Sequence, residues 1–388
     1  MKHRVYFDAG DCNIDDFAQL TGRVLPPEDV PQVADIVSNV PIYDMAALGA
    51  ALGDPEGRMA LKGEWAHVLG ALSGVLVLRG AYADSAPIDA ATKVYEAIIA
   101  DERAASGGKS DHFAAKGAND RIWNSLQKLC QAAPEVFARY FGNDAIAAVC
   151  EAWLGAGYQM SAQVNLVRPG GGAQTAHRDY HLGFQTGDVA LQYPAHMHDL
   201  SPVLTLQGAV AHCDMPVDSG PTKLLPFSQL YRPGYLAYRQ PAFSEFFEQH
   251  YVQLPLAKGD ALFFNPALFH GAGENRSTDI HRMANLLQIS SPFGRAMEVI
   301  DRDGMCRALY PVVQNLRATG ALSDVESAAA IAAAAEGYSF PTNLDSDPPT
   351  GGLAPETMAA LFARALADGT GPADFNAALD RHAARRRA

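Results

Sequence analysis

The segment Gln174-Thr175-Ala176-His177-Arg178-Asp179-Tyr180-His181 holds the residues best suited to chemistry. On an extended strand, side chains two apart point the same way, so a His-x-Asp pair aims an imidazole and a carboxylate at one point. A second histidine from a distant strand would complete a set of two histidines and one carboxylate. Such a facial triad leaves coordination positions open and suits non-haem iron(II) and O2 chemistry. His270 is placed to supply it, because it ends the apolar run from Leu262 to Phe269 and is followed by the small residues Gly271-Ala272-Gly273. Twelve residues further, Arg282 opens another strand-like run, where a fixed guanidinium could grip a dicarboxylate in bidentate fashion. A lone His-x-Asp means little in a chain with 12 histidines; the company of His270 and Arg282 gives it weight.

Other histidines form rival sets. His196-x-His198-Asp199 lies in a stretch with loop character, and His212-x-Asp214 closes a strand-like run. Neither has an arginine at a useful spacing. A zinc hydrolase built on them is the competing enzyme reading, while capping strands or lining a substrate mouth is the plainer role. His181 is expected to be structural. Arg121 and Trp123, in Asn119-Asp120-Arg121-Ile122-Trp123-Asn124, could reach the mouth of a site, with Asp120 as a helix cap.

The elements that must position these groups change character along the chain. Residues 26–72 read as helical, in the pieces Val30–Val37, Met45–Leu52 and Met59–Leu72. Ser73–Gly80 is a β-branched run between glycines, hence a strand. Helical patterns follow over Ala90–Ala105, Ile122–Cys130 and Ala132–Leu154, with a loop expected at Gly107–Asn119. From Tyr158 the period switches to two. Strands are expected at Gln159–Val167, Val203–Ala211, Lys223–Pro226, Val252–Leu256, Ala261–Phe264 and Arg282–Ser290. Short strands so spaced point to an antiparallel sandwich or barrel. After Pro292 alanine-rich helices return, over Ser323–Glu336 and Pro355–Leu366, with a capping box at Ser323-Asp324-Val325-Glu326. The basic end, Arg381 to Arg387, reads as a solvated tail.

Composition narrows the function. The net charge of −13 makes nucleic acid and anionic lipid poor partners. No apolar run reaches the ~18 residues of a membrane span. The N-terminal residues lack the apolar core of a secretory signal. Five scattered cysteines without a Cys-x-x-Cys pair suit a reducing compartment, so a cytoplasmic location is expected.

Taken together, His177-x-Asp179-x-His181, the turn-strand Gly220-Pro221-Thr222-Lys223-Leu224-Leu225-Pro226-Phe227-Ser228-Gln229, and the run from His270-Gly271 to Arg282 resemble the phytanoyl-CoA dioxygenase family. The resemblance spans roughly Leu76 to Ser290. It implies an α+β chain with a double-stranded β-helix (jelly-roll) core over 73–295, carrying inserted helices and wrapped by N- and C-terminal helices. Residues 296–388 would form a C-terminal helical extension to one domain covering 1–388. It also implies Fe(II), 2-oxoglutarate and O2 as the reacting set, with His177, Asp179 and His270 as metal ligands. Arg282 would hold the distal carboxylate of 2-oxoglutarate, with Asn165 near the same co-substrate. The expected activity is hydroxylation of a small or medium-sized organic substrate, with release of succinate and CO2; a retained carboxylate at Asp179 argues against halogenation. A jelly-roll binding protein without catalysis remains the non-enzymatic alternative. Two departures stand out. Arg282 lies one residue further from His270 than the pattern leads us to expect, which makes Arg276 a competitor for the carboxylate. Ala272 stands where relatives often carry a hydroxyl.

Overall fold

A computed structural model describes residues 5–106 and 119–387. Most of the loop expected at Gly107–Asn119 lies outside the described residues. The described residues hold ten strands: β1 (Asp35–Val37), β2 (Val40–Asp44), β3 (Val75–Arg79), β4 (Asn119–Ile122), β5 (Gln159–Val167), β6 (Thr205–Ala211), β7 (Lys223–Leu225), β8 (Ala261–Phe264), β9 (Phe269–Gly271) and β10 (Arg282–Ser290). Eight of them form one sheet in the order β1-β2-β3-β8-β6-β10-β5-β4. All neighbours pair antiparallel except β2 with β3. The second sheet is small. β7 pairs with β9, and isolated bridges widen it on both sides, Leu224 with Val252 and His177 with His270. These are the two walls of a jelly roll.

The alternation of β10 explains the layering. Met283, Leu287 and Ile289 point to one face and join Leu206, Val210 and Phe263 in the main core. Helices cover that face, contributing Trp65, Leu69, Tyr140 and Leu309. The opposite face carries Arg282, Ala284, Leu286 and Gln288, and these line a cavity of about 720 Å³ reached from both sheets. One strand therefore serves a dry core and a ligand-sized space, as a period of two requires.

Several expectations need correction. Val30–Val37 is not a helix. Asp35–Val37 turns back through Ser38 and Asn39, both at positive φ, to pair with β2. Positive φ at two successive residues makes a tight hairpin, and asparagine tolerates that region well. β1 and β2 thus extend the large sheet from before residue 73. The helix expected at Ile122–Cys130 begins only at Ser125, because Asn119–Ile122 pairs along the edge of β5. Asp120 lies within β4 and not at a helix start; it is fully buried and paired with Arg103 at 2.7 Å and with Arg168. Ala132–Leu154 is two helices, Pro134–Phe141 and Asp144–Leu154, parted at Gly142-Asn143. Val252–Leu256 makes two isolated bridges and no strand. The arginine-rich end is no loose tail: it lies on the helix Pro372–Arg386, where Arg386 pairs with Glu336 at 2.5 Å. Arg302–Ala318 is a further helix that the alanine pattern did not mark. Ser323 and Glu326 do form the reciprocal capping box. No helix among the described residues is long and apolar enough to cross a membrane.

Candidate metal centre

His177, Asp179 and His270 each offer one ligand atom, and these atoms lie within 4.8 Å of one another. Asp179 sits between the rings, with Oδ1 3.8 Å from Nε2 of His177 and Oδ2 3.4 Å from Nε2 of His270. In both histidines Nδ1 faces a backbone carbonyl: Thr175 at 2.9 Å for His177, Leu268 at 2.8 Å for His270. A carbonyl can only accept, so Nδ1 carries the proton and Nε2 keeps its lone pair. That tautomer is the one a metal ligand needs. Burial, and then the neighbouring His270, push His177 below the ordinary histidine range. Burial alone would raise Asp179, but the neighbouring imidazoles and the hydrogen bond from Gln207 outweigh it and hold the carboxyl well below its usual range. An ionised carboxylate with two Nε2 donors is a set that fits a divalent iron.

The backbone that aims these groups is not the expected strand. Only His177 pairs, in one bridge with His270 (N to O at 3.0 and 3.2 Å), and Asp179 N then bonds to Pro266 O at 3.1 Å. After Asp179 the chain turns sharply, with Tyr180 at φ 61° and His181 at φ 37°. Such conformations cost about 1–3 kcal/mol each and need surrounding support. Tyr180 OH donates to Gln288 Oε1 at 2.5 Å, and His181 Nδ1 meets Ser201 Oγ at 3.0 Å.

The middle residue of His-x-Asp anchors the pair. Arg178 is buried, donates to the carbonyls of Ser228 (2.6 Å) and Tyr231 (2.9 Å), and lies against the rings of Tyr235 and Phe269. Burial pulls its guanidinium down to about 10. Gly234 gives it room, since a Cβ there would sit 1.9 Å from Arg178 Cζ. Nothing in the sequence marks Arg178 for this role. Gln207 was also missed. It stands on β6 opposite Gln288, and its Nε2 donates to Asp179 Oδ2 at 2.5 Å.

Arg282 lies further along the same cavity, 7% exposed, donating to the carbonyls of Ser219 (3.1 Å) and Gly273 (3.4 Å). No carboxylate among the described residues pairs with it, and burial lowers it to about 10. Ala209, Ala211 and Ala284 leave the floor bare on the way from Arg282 to the triad. The Ser219–Gly220 turn fits against Gly273-Glu274 because Gly220, at φ 74°, has no side chain; a Cβ would meet Glu274 O at 2.2 Å. Arg276 is exposed and does not line the cavity. The turn between His270 and Arg282 is tied down by Asn275, whose Nδ2 donates to the carbonyls of Val167 (3.0 Å) and Ile280 (2.8 Å). Asn165 lines the cavity from β5, opposite Ala284, and its buried Oδ1 has no hydrogen-bond partner.

The rival histidines stay apart. His196 is exposed; His198 bonds to Ala190 O at 3.1 Å; His212 faces the helices, between Thr92 and Tyr140, each at 2.8 Å. Lys223 pairs with Glu248 at 2.6 Å.

The model for phytanoyl-CoA dioxygenase matches residues 71–284. The chain belongs to that family of iron(II)- and 2-oxoglutarate-dependent oxygenases. No curated protein matches it. Among solved structures it is similar to the non-heme α-ketoglutarate-dependent epimerase SnoN from nogalamycin biosynthesis, at 20% identity and TM-score 0.40, over 62% of this chain and 84% of that one. It is also similar to the carbocyclase SnoK from the same biosynthesis, at 18% identity and TM-score 0.43, over 57% of this chain and 81% of that one.

Proposed function

We propose that this chain is an Fe(II)- and 2-oxoglutarate-dependent dioxygenase that hydroxylates a C–H bond of a small or medium-sized organic substrate, releasing succinate and CO2. His177, Asp179 and His270 hold the iron. Arg282 grips the distal carboxylate of 2-oxoglutarate. The observation that carries this reading is a triad of Nε2, carboxylate and Nε2 at one end of a cavity, with a buried arginine that lacks a counter-carboxylate along its floor. A buried guanidinium without an anion costs several kcal/mol. A dicarboxylate reaching from the metal to Arg282 removes that cost, and the bare alanine floor gives it a path.

Bound iron supplies the activation of O2; the chain supplies geometry and exclusion of water. Thr175 and Leu268 carbonyls fix the imidazole tautomers. Gln207 holds Asp179 by one oxygen. Asn165 presents an amide to the co-substrate. Asp179 keeps a carboxylate in the metal's coordination, which favours hydroxylation over halogen transfer. No observation favours a zinc hydrolase, whose histidines do not converge. The reading is tested by anaerobic loading with iron(II) and 2-oxoglutarate, followed by O2 and a substrate panel read as succinate formation. Iron-dependent succinate release is the expected result; its absence with every ligand bound would leave the non-catalytic jelly-roll alternative.

A further inference from the structure

Along β10 the cavity-facing side chains run from Arg282 through Ala284 and Leu286 to Gln288. The register sets their neighbours. Asn165 on β5 and Ala211 on β6 flank Ala284, Gln163 and Ala209 flank Leu286, and Gln207 stands opposite Gln288. The wall therefore changes from a guanidinium, through alanine, to glutamines beside the triad. Apolar groups join them there. Tyr180 donates to Gln288 Oε1 at 2.5 Å and carries Phe184 against its ring, the centres 5.8 Å apart, with Phe184 54% exposed. Met297 has its sulfur 3.8 Å from Gln163 Nε2, and Trp123 also lines the cavity.

Most polar groups along this wall are already engaged. Arg178 is held by the carbonyls of Ser228 and Tyr231, and Arg282 falls to the co-substrate on the reading above. Arg121, in the row of Asn165, lies against the Trp123 ring at 5.1 Å and faces Gln163 Oε1 at 3.5 Å. Gln207 gives its Nε2 to Asp179. Glu298, beside Gln163, accepts from Asn124 N at 2.6 Å and does not line the cavity. Gln288 is different. Its Oε1 takes the Tyr180 hydroxyl, but its Nε2 makes no hydrogen bond among the described residues. The residue is 7% exposed, so bulk water meets little of that donor. Across the strand pair, Gln207 Oε1 is buried and likewise without a partner. Buried polar groups are nearly always paired, and two such orphans on directly opposed residues mark a place for a ligand.

We infer that the prime substrate is an uncharged, largely apolar molecule whose carbonyl or hydroxyl oxygen accepts a hydrogen bond from Gln288 Nε2. Its apolar body lies against Leu286, Met297, Phe184 and Trp123. This rests on the dioxygenase reading, which gives Arg282 and Asn165 to 2-oxoglutarate. Charge selects against the alternatives. An ammonium would set its N–H groups against the amide N–H of Gln288. A carboxylate would approach Asp179, one side chain away through Gln207, with only a neutral donor as its partner. A neutral oxygen meets the donor at no such cost. A hydroxyl does more than a carbonyl, because it also donates and so serves Gln207 Oε1.

The test uses the full chain saturated with Mn(II), a redox-inert stand-in, and 2-oxoglutarate. Calorimetry follows ligands of one shape: 2-acetylnaphthalene, 1-(2-naphthyl)ethanol, 2-naphthoate and 1-(2-naphthyl)ethylammonium. The ketone or the alcohol should bind more tightly than either ion by roughly tenfold, the order of one well-made hydrogen bond. Whichever leads tells carbonyl from hydroxyl. Gln288→Glu keeps an oxygen for Tyr180 and replaces the donor with an acceptor, so it should shift the neutral-over-ammonium preference by roughly tenfold toward the ammonium. Gln288→Met should lower affinity for the leading neutral ligand by a similar factor without raising that of the ammonium. The thermal midpoint checks the folding of both variants. An ion that binds the native chain as tightly as the leading neutral ligand, no binding of any of these ligands by a protein that takes up 2-oxoglutarate, or native preferences in either folded variant would each overturn the proposal. A native chain that fails to bind 2-oxoglutarate would instead count against the dioxygenase reading.

Discussion

The amide of Gln207 donates to Oδ2 of Asp179 at 2.5 Å, while Oδ1 of the same carboxylate faces Nε2 of His177 at 3.8 Å. Gln207 belongs to the large sheet and Asp179 to the loop that follows the His177 bridge. Their contact ties the two walls together at the triad and sets which carboxylate oxygen is left for a metal. Partners of this kind typically contribute ten- to a hundredfold to metal affinity. Gln207→Leu should therefore weaken Mn(II) or Fe(II) binding by roughly tenfold, read by calorimetry, with the thermal midpoint of the metal-free protein little changed. Unchanged affinity would show that Asp179 is held by the histidines alone.

Direct removal of the ligands gives a larger effect. His177→Ala or Asp179→Ala should abolish iron binding and 2-oxoglutarate decarboxylation. The fold should survive, since His177 joins its sheet by a single bridge and the core behind β10 does not include either side chain. Circular dichroism checks the fold, and metal analysis after anaerobic loading checks the site. Full turnover by Asp179→Ala would end the triad assignment.

Much of this site could be read from residue types and spacing, because the physics involved is local. Strands β5, β8 and β10 have the bounds that the sequence pattern suggests, and the faces of β5 and β10 follow from a period of two. His270, expected at the end of one apolar strand from Leu262, lies instead in β9, a separate strand of the small sheet that follows the break after Phe264. The loop around Asp179 was less legible. Its direction depends on Arg178, Gly234 and Tyr180, which lie far apart in sequence and meet only through packing. Periodicity also could not separate β1 from a helix, because three residues hold too little pattern and the turn at Ser38-Asn39 does the deciding. Gln207 looked like any polar residue on a half-buried strand.

Gly234 offers an indirect test of how the His-x-Asp pair is aimed. It lies outside the triad, yet a methyl group there would fall 1.9 Å from the Arg178 guanidinium carbon. Arg178 must then leave the carbonyls of Ser228 and Tyr231, each an unmet buried acceptor costing about 1–3 kcal/mol. Gly234→Ala should lower both the urea midpoint and the metal affinity, and Arg178→Met should do the same. Retention of native metal affinity in a folded Gly234→Ala protein would show that Arg178 does not position His177 and Asp179.

Acid sensitivity has an origin away from the triad. His212 is buried between Thr92 and Tyr140, and burial lowers its pKa to about 3. The unfolded chain binds that proton near pH 6.5, the ordinary histidine value, and the folded chain resists it. Below that value the unfolded state therefore gains protons first, so stability is full above about pH 6.5 and declines as pH falls toward about 3, by up to about 1.4 kcal/mol per unit. Urea midpoints of metal-free protein at pH 7 and 5 should show this decline. His212→Gln, which keeps a side chain able to bond Tyr140 or Thr92, should flatten it; an equal decline in the variant would assign the effect to other groups.

Arg282 and Arg276 make the sharpest contrast, because the sequence leaves either able to serve as the carboxylate clamp. Arg282 shares its strand face with Ala284, Leu286 and Gln288, all of which line the cavity, and its two hydrogen bonds to carbonyls leave the rest of the guanidinium for an anion. Arg276 is exposed on the turn that Asn275 staples to β5. A lost charge-assisted pair costs about 1.5–3 kcal/mol, which corresponds to roughly ten- to a hundredfold. Arg282→Ala should raise the apparent KM for 2-oxoglutarate by that factor and leave iron affinity nearly unchanged, since the side chain is no ligand. Arg276→Ala should behave as the native chain in both measurements. If Arg276 proved sensitive and Arg282 tolerant, the inserted turn residue would have moved the clamp, and the cavity between Arg282 and the triad would need another occupant.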